Sequence, residues 1–401
     1  MPRRRIRQQR RTASRAERLR AGLLIAAGVI AGAVIVVVDL GADNSVVPEV
    51  ASWLDPGSSD ALTAMAGTLA GTDLDAAHAY AQRAIAHNPL DDRSLVIAAL
   101  GATSTNQIAR ADALFAHITT LTRRQPLAET WMFDVAVAHG RYAEAIGHAD
   151  AALRRRTGAD AEVMPALIAV TDGSAVLPAF ARELASNPPW RPAFFRAFAR
   201  SKDGNALALI EAMRRSGDHP GPVEVAAMAS QQIAAGNVGG ARAVWQKGFG
   251  RPLPPLLSPN FESATQLGDF GWSILVKGGA QVVARSEGKG HALEVEPSNT
   301  AKRPLRVVQQ AMLLDGGRHA IRFEGRSVEG GDTVATMVVR CAGDDLELGR
   351  ASVPAAQTWS ETRFVFGVPA ADCPIQKLVI EAVPNLTQGG TPALIDNIRV
   401  E

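Results

Sequence analysis

The chain has 401 residues, enough for more than one domain, with 42 basic and 40 acidic residues. Its net charge of +2 hides an asymmetry: residues 1–20 carry nine arginines and one glutamate (+8), and the remaining 33 basic and 39 acidic residues give −6. The bulk is therefore mildly acidic, with no basic stripe for nucleic acid.

Residues 1–20 read as a basic cytoplasmic tail, followed by eighteen uncharged residues at 21–38 (AGLLIAAGVIAGAVIVVV). A run of about 20 apolar residues spans a bilayer, so 21–38 is expected as a transmembrane helix. Basic flanks stay inside. The expectation is a single-pass protein of a bacterial inner membrane, N-terminus cytoplasmic and bulk periplasmic, with the membrane as one partner. A cleaved signal peptide is the alternative, but the apolar run is long and Leu40 sits where a small residue is wanted. Gly28 and Gly32 form a small-xxx-small pair at which two such helices would approach. Residues 39–58, with Pro48, Pro56 and Gly57, read as a tether.

From 59 to 250 the texture is Ala-rich segments of helical period parted by Gly, Asn, Asp or Pro, so this region is expected to be all-α. It repeats. Gly140-Arg141-Tyr142-Ala143-Glu144-Ala145-Ile146 with Ala149 and Ala152 places a turn glycine, an aromatic and spaced small residues in order. Asp75-Ala76-Ala77 with Ala81 and Ala84 gives the same pattern, and Ala113, Ile118 and Leu121 follow at an offset of 37. A last unit starts at Gly236 and carries Trp245. These units resemble tetratricopeptide repeats, in which helix pairs stack into a solenoid; the resemblance implies a protein partner held by the array. Between them, around 160–220, the pattern degenerates, and Pro188-Pro189-Trp190-Arg191-Pro192 is expected to kink or split the array. Phe194, Phe195 and Phe198 are expected in its core, with a partner-binding patch as the alternative.

Residues 251–259 (RPLPPLLSP) read as a proline-rich joint. Beyond it, nine runs alternate or are β-branched: 281–284, 292–295, 305–311, 319–323, 333–341, 346–353, 362–368, 376–382 and 393–400. With glycine turns between them they predict a β-sandwich over 260–401. Cys341 and Cys373 both fall in it. In an oxidising exterior two cysteines in one β-domain most simply form a disulfide; the alternative is two buried thiols.

Asn260-Phe261-Glu262 and Phe270-Gly271-Trp272 at the opening, Val308-Gln309-Gln310 and residues 319–326 (HAIRFEGR) in the middle, and residues 394–400 (LIDNIRV) at the close stand in an order that resembles galactose-binding-like jelly rolls used as carbohydrate-binding modules. That resemblance implies a structural calcium, with Glu262 and Asp396 as its side-chain ligands by position, and a glycan surface. Trp359 is the candidate stacking platform, with Arg303, Arg306 and Gln310 as polar contacts. The eight histidines are scattered, and no G-x-S-x-G, phosphate loop or H-E-x-x-H occurs, so no enzyme is expected. The sequence reading is a membrane-anchored envelope scaffold: anchor, tetratricopeptide-like solenoid and jelly roll. The solenoid would hold an envelope protein and the jelly roll a polysaccharide, in surface-polysaccharide biosynthesis or export. A protein–protein adaptor with a structural sandwich is the alternative, and a polysaccharide-modifying enzyme the remote one.

Overall fold

In the computed structural model the described residues are 48–155, 160–173, 175–262, 267–275, 280–288, 290–297, 303–330, 334–383 and 391–401. They form helices and then strands, in two compact units that divide between residues 159 and 160. Among the described residues no helix is long and apolar enough to cross a membrane. This overturns the expected single-pass inner-membrane placement; the segment 21–38 and its Gly28–Gly32 pair lie outside the described residues.

The first unit holds seven described helices: α1 (Pro48–Leu54), α2 (Ser59–Leu69), α3 (Leu74–His87), α4 (Asp92–Ser104), α5 (Ile108–Leu121), α6 (Pro126–Ala138) and α7 (Tyr142–Leu153). Part of the supposed tether is thus helical. Pro48 opens α1, where its fixed φ suits a first turn and its missing N–H costs nothing, and Glu49 complements the helix dipole there. Side chains that accept backbone N–H groups start the following helices: Ser58 from Ala61 for α2 and Asp73 from Ala76 for α3.

The second helices of the pairs begin at Leu74, Ile108 and Tyr142, a constant step of 34 residues. Ala77, Ala111 and Ala145 occupy one buried position, and Ala84, Ile118 and Ala152 another. This is helical-repeat architecture with a regular period, where the sequence pattern suggested an offset of 37. The step is kept by turns that include left-handed residues, Asn106 at φ 57° and Gly140 at φ 70°.

The second unit, Asp160–Glu401, combines six more helices with ten strands among the described residues. The helices are α8 (Asp160–Val170), α9 (Leu177–Ala185), α10 (Arg191–Phe198), α11 (Ala206–Arg215), α12 (Pro222–Ala234) and α13 (Val238–Phe249). The proline cluster at 188–192 ends one helix and opens the next, and Phe194, Phe195 and Phe198 are buried as expected. Asn237 caps α13, and Gly250, at φ 70°, ends it.

The strands are β1 (Ser273–Ile274), β2 (Ala280–Glu287), β3 (Gly290–Pro297), β4 (Leu305–Met312), β5 (Gly317–Ser327), β6 (Ala335–Cys341), β7 (Glu347–Ser352), β8 (Ser360–Val368), β9 (Gln376–Ala382) and β10 (Ala393–Val400). They make two five-stranded sheets, β1-β4-β9-β6-β7 and β2-β3-β10-β5-β8, whose pairings are all antiparallel. Each predicted run coincides with one of β2–β10; β1 escaped because two residues leave no alternation to read. Inward residues at period two, among them Val295, Ile321, Phe323, Met337, Leu378, Ile380 and Ile395, fill one core between the sheets. Gly325 permits that packing: a Cβ there would lie 2.8 Å from Val353 Cγ1 and 2.9 Å from Pro354 Cδ.

Helices and sandwich of this unit are joined by specific contacts. Trp245 of α13, fully buried, meets the Phe270 ring edge-on with centroids 5.5 Å apart. Arg242 Nη2 donates to the Leu313 carbonyl and to Asp315 Oδ1, each at 2.9 Å. The proline-rich segment is tied in as well: the Ser258 carbonyl accepts from Trp272 Nε1 at 2.9 Å and the Pro259 carbonyl from the Ile398 amide at 3.0 Å.

Candidate functional site

Cys341, at the end of β6, and Cys373, just before β9, form a disulfide with Cα atoms 5.4 Å apart. Both are buried. The bond fixes the turn that leads from β8 into β9, where Gln376 Oε1 accepts the Leu314 amide at 2.8 Å. For a separation of 32 residues, loop closure contributes about 3–4 kcal/mol in the chain-entropy model. The Cys341→Ala/Cys373→Ala protein is expected to lose about that much in denaturant unfolding, and a loss below about 1 kcal/mol would show that the reduced chain is already held by the sheets.

Trp359 lies at the entry to β8 and is 36% exposed. Among the described sandwich aromatics it is the only one this exposed; Phe261, Phe270, Phe323 and Phe366 are buried, and Trp272 and Phe364 half-buried. Its ring is backed by the Arg326 guanidinium, 5.5 Å from the centroid. Arg326 Nη2 in turn donates to Glu287 Oε1 at 2.9 Å, so β2, β5 and the residue before β8 jointly set the indole. A cation over one face leaves a rigid aromatic whose orientation does not have to be bought on binding.

The three polar candidates lie elsewhere. Arg303 is exposed just ahead of β4. Arg306, on β4, reaches over β9 to Asp345 in the β6–β7 turn, with Nη1 2.9 Å from Oδ1, and its Nε is 3.8 Å from Glu381 Oε1. Arg340 of β6 joins the row, 3.3 Å from Glu381 and 3.1 Å from Glu347. The Arg306 hydrogen bond holds the Asp345 carboxyl below the ordinary range, and the Arg350 hydrogen bond does the same for Glu347. Gln310 is buried, and its amide donates to the Phe270 carbonyl, so it serves the contact between sheet and opening segment rather than a surface. The structure therefore does not gather Trp359, Arg303, Arg306 and Gln310 into one platform.

Glu262 Oε1 accepts the His291 amide at 2.7 Å, and its Oε2 lies 3.0 Å from His291 Nδ1. Those bonds lower its pKa. Asp396 moves the other way: burial raises its pKa, with Glu324 and Glu262 adding to the rise. Glu324 is bound by Asn397 Nδ2 at 2.9 Å. Calcium needs six to eight oxygens. Here Glu262 is committed to His291, and among the described residues no group of three or more His, Cys, Asp or Glu side chains could hold a metal ion.

A second feature has no counterpart among the sequence motifs. A cleft of about 790 Å³ runs between α10, α12 and the residues around β1. Its walls carry Phe195, Arg196, Arg200, Val223, Trp272 and Ile274. These residues are far apart in sequence, and although Phe195 and Trp272 stand in motifs of their own, no local signal joins them into one site.

By its fold the chain is an α-helical repeat protein that carries an antiparallel β-sandwich. No protein-family model matches it, and no curated protein does. Among solved structures it is similar to the CBM22-1 xylan-binding domain from Paenibacillus barcinonensis Xyn10C (16% identity, 36% of this chain and 92% of that one, TM-score 0.27). It is also similar to a family 16 carbohydrate-binding module (13%, 37% and 99%, TM-score 0.27). A CBM4 structure gives 15% identity over 32% of this chain and 85% of that one, with a TM-score of 0.26.

Proposed function

We propose that the sandwich is a non-catalytic glycan-contacting module and that the helical repeats hold a protein partner, the whole acting as a scaffold in the making or export of a surface polysaccharide. The exposed indole of Trp359 on its Arg326–Glu287 support carries the glycan part: aromatic faces stack on the C–H faces of pyranose rings, and this one is presented rigidly. The row of Arg306, Arg340, Asp345, Glu347 and Glu381 supplies planar polar groups of the kind that bind hydroxyls, but on the other sheet. The adaptor reading has its own support, since a single exposed aromatic is a narrow platform.

Calorimetric titration of the full chain with the host's surface polysaccharide, with and without calcium, tests this. Saturable binding is expected, weakened about tenfold or more by Trp359→Ala, the scale of a buried aromatic anchor. Absence of saturable binding under both conditions would leave the adaptor.

A further inference from the structure

We infer that the cleft between α10, α12 and β1 is a docking site for an extended peptide bearing acidic side chains. This reading is independent of the glycan surface and gives the proposed protein partner a place and a chemistry.

Three observations converge. The first is charge. Arg196, in the last turn of α10, and Arg200, in the turn just after it, are both exposed on the cleft wall. Among the described residues neither has an ion pair, as holds for other exposed arginines of the unit such as Arg318; what sets these two apart is that they stand together on one cleft wall. Among the described residues two acids border the cleft. Glu224 cannot answer them, because Arg191 binds both its oxygens at 2.6 and 2.7 Å. That leaves Asp269 against two guanidinium groups. Arginine forks match carboxylates, so the site is short of an anion.

The second is apolar surface. Val223 is 56% exposed and Ile274 59%, on facing sides of the same cleft. Trp272 lies beside them, its indole N–H already spent on the Ser258 carbonyl. Branched aliphatic side chains exposed to this degree suit a peptide side chain better than a sugar hydroxyl.

The third is a free strand edge. Among the described residues β1 ends its sheet and pairs only with β4, Ser273 opposite Gln309 and Ile274 opposite Val308. The Leu275 amide also donates to β4, at the Val307 carbonyl, 2.8 Å away. Backbone groups alternate sides along an antiparallel strand, so the N–H and C=O of Ile274 point away from β4. A peptide strand laid there would take both bonds and set apolar side chains against Val223 and Ile274, its carboxylates reaching Arg196 and Arg200.

The test is fluorescence anisotropy on the full chain with three short labelled peptides: alternating Val and Glu, alternating Val and Lys, and the Val–Glu peptide N-methylated at alternate amides. Saturable binding of the Val–Glu peptide alone is expected, weakening with salt. Arg196→Glu/Arg200→Glu should reduce it at least about tenfold, while Arg318→Glu, an exposed arginine on β5, should leave it unchanged. The N-methylated arm works on the unsubstituted protein, so it does not depend on any variant folding. No saturable binding, equal binding of the Lys peptide, or indifference to the double substitution would overturn the site. Full binding of the N-methylated peptide would overturn the strand pairing. Polygalacturonate that binds where the Val–Glu peptide does not would overturn the peptide in favour of an acidic glycan.

Discussion

Arg191→Ala is expected to cost about 3–5 kcal/mol in denaturant unfolding, the range for removing one partner of a buried ion pair. The side chain of Arg191 is only 8% exposed and sits among four anchors. Its Nε and Nη2 meet the two Glu224 oxygens at 2.6 and 2.7 Å, and Nη1 lies 2.7 Å from Asp218 Oδ2 and 2.5 Å from the Leu184 carbonyl. The Phe195 ring packs beneath the guanidinium at 5.8 Å. One residue thus ties α9, α10, the α11–α12 link and α12. Its hydrogen bonds to Glu224 raise its already high pKa further, against the opposing effect of burial, so it stays charged throughout. Removing it leaves two carboxylates, 11% and 20% exposed, facing each other without a cation. Arg191→Lys should also destabilise, because a single ammonium cannot fork to two carboxylates. A loss for Arg191→Ala below about 1 kcal/mol would mean that water reaches these acids and the cluster behaves as a surface pair.

How far the sequence discloses this depends on the range of each interaction. Strands β2 to β10 are legible because their alternation is local. The pairing of Cys341 with Cys373 is legible because only two cysteines exist. The 34-residue step was obscured by exchange of volumes at one buried position, where Ala81, Phe115 and Ala149 stand in successive repeats. Packing conserves fit, not residue type, so a consensus reading drifts there. α1 is hidden in the sequence because Pro48 marks a break in a helical pattern, yet here it occupies the one helical position that welcomes it. Site residues fare worse. Arg306 meets Asp345 across 39 positions and Gln310 meets Phe270 across 40. Nothing in the flanking residues tells a polar side chain that faces solvent from one that satisfies a buried carbonyl. Trp359 stands out in the sequence by elimination, since Phe364 and Phe366 share one face by alternation and Trp272 belongs to the opening motif. The cleft of Arg196, Arg200 and Ile274 needs three separated segments brought together, and no pattern within any of them reports it.

Trp245→Ala is the second substitution with a large expected effect, about 3–5 kcal/mol for a fully buried tryptophan replaced by alanine. Its consequence differs in kind from that of Arg191→Ala. Trp245 packs on Phe249 of its own helix at 4.3 Å and on Phe270 of the sandwich opening at 5.5 Å. The Phe270 carbonyl is also the acceptor for buried Gln310 on β4, so the indole supports the segment that anchors the edge of one sheet. Truncating it opens a cavity between helices and sandwich, where relaxation is limited by the disulfide-braced sheets on one side and by α12 on the other. The unit should lose cooperativity as well as stability: tryptophan fluorescence, weighted here to helices and opening, and far-ultraviolet strand signal should coincide in the parent and separate in the variant. Arg242→Ala provides the contrast, because its partner Asp315 is 85% exposed and the pair should be worth no more than about 1 kcal/mol. Transitions that stay coincident after Trp245→Ala would show that the polar contacts alone couple the helices to the sandwich; transitions already separate in the parent would show that the two fold independently despite sharing a buried aromatic contact.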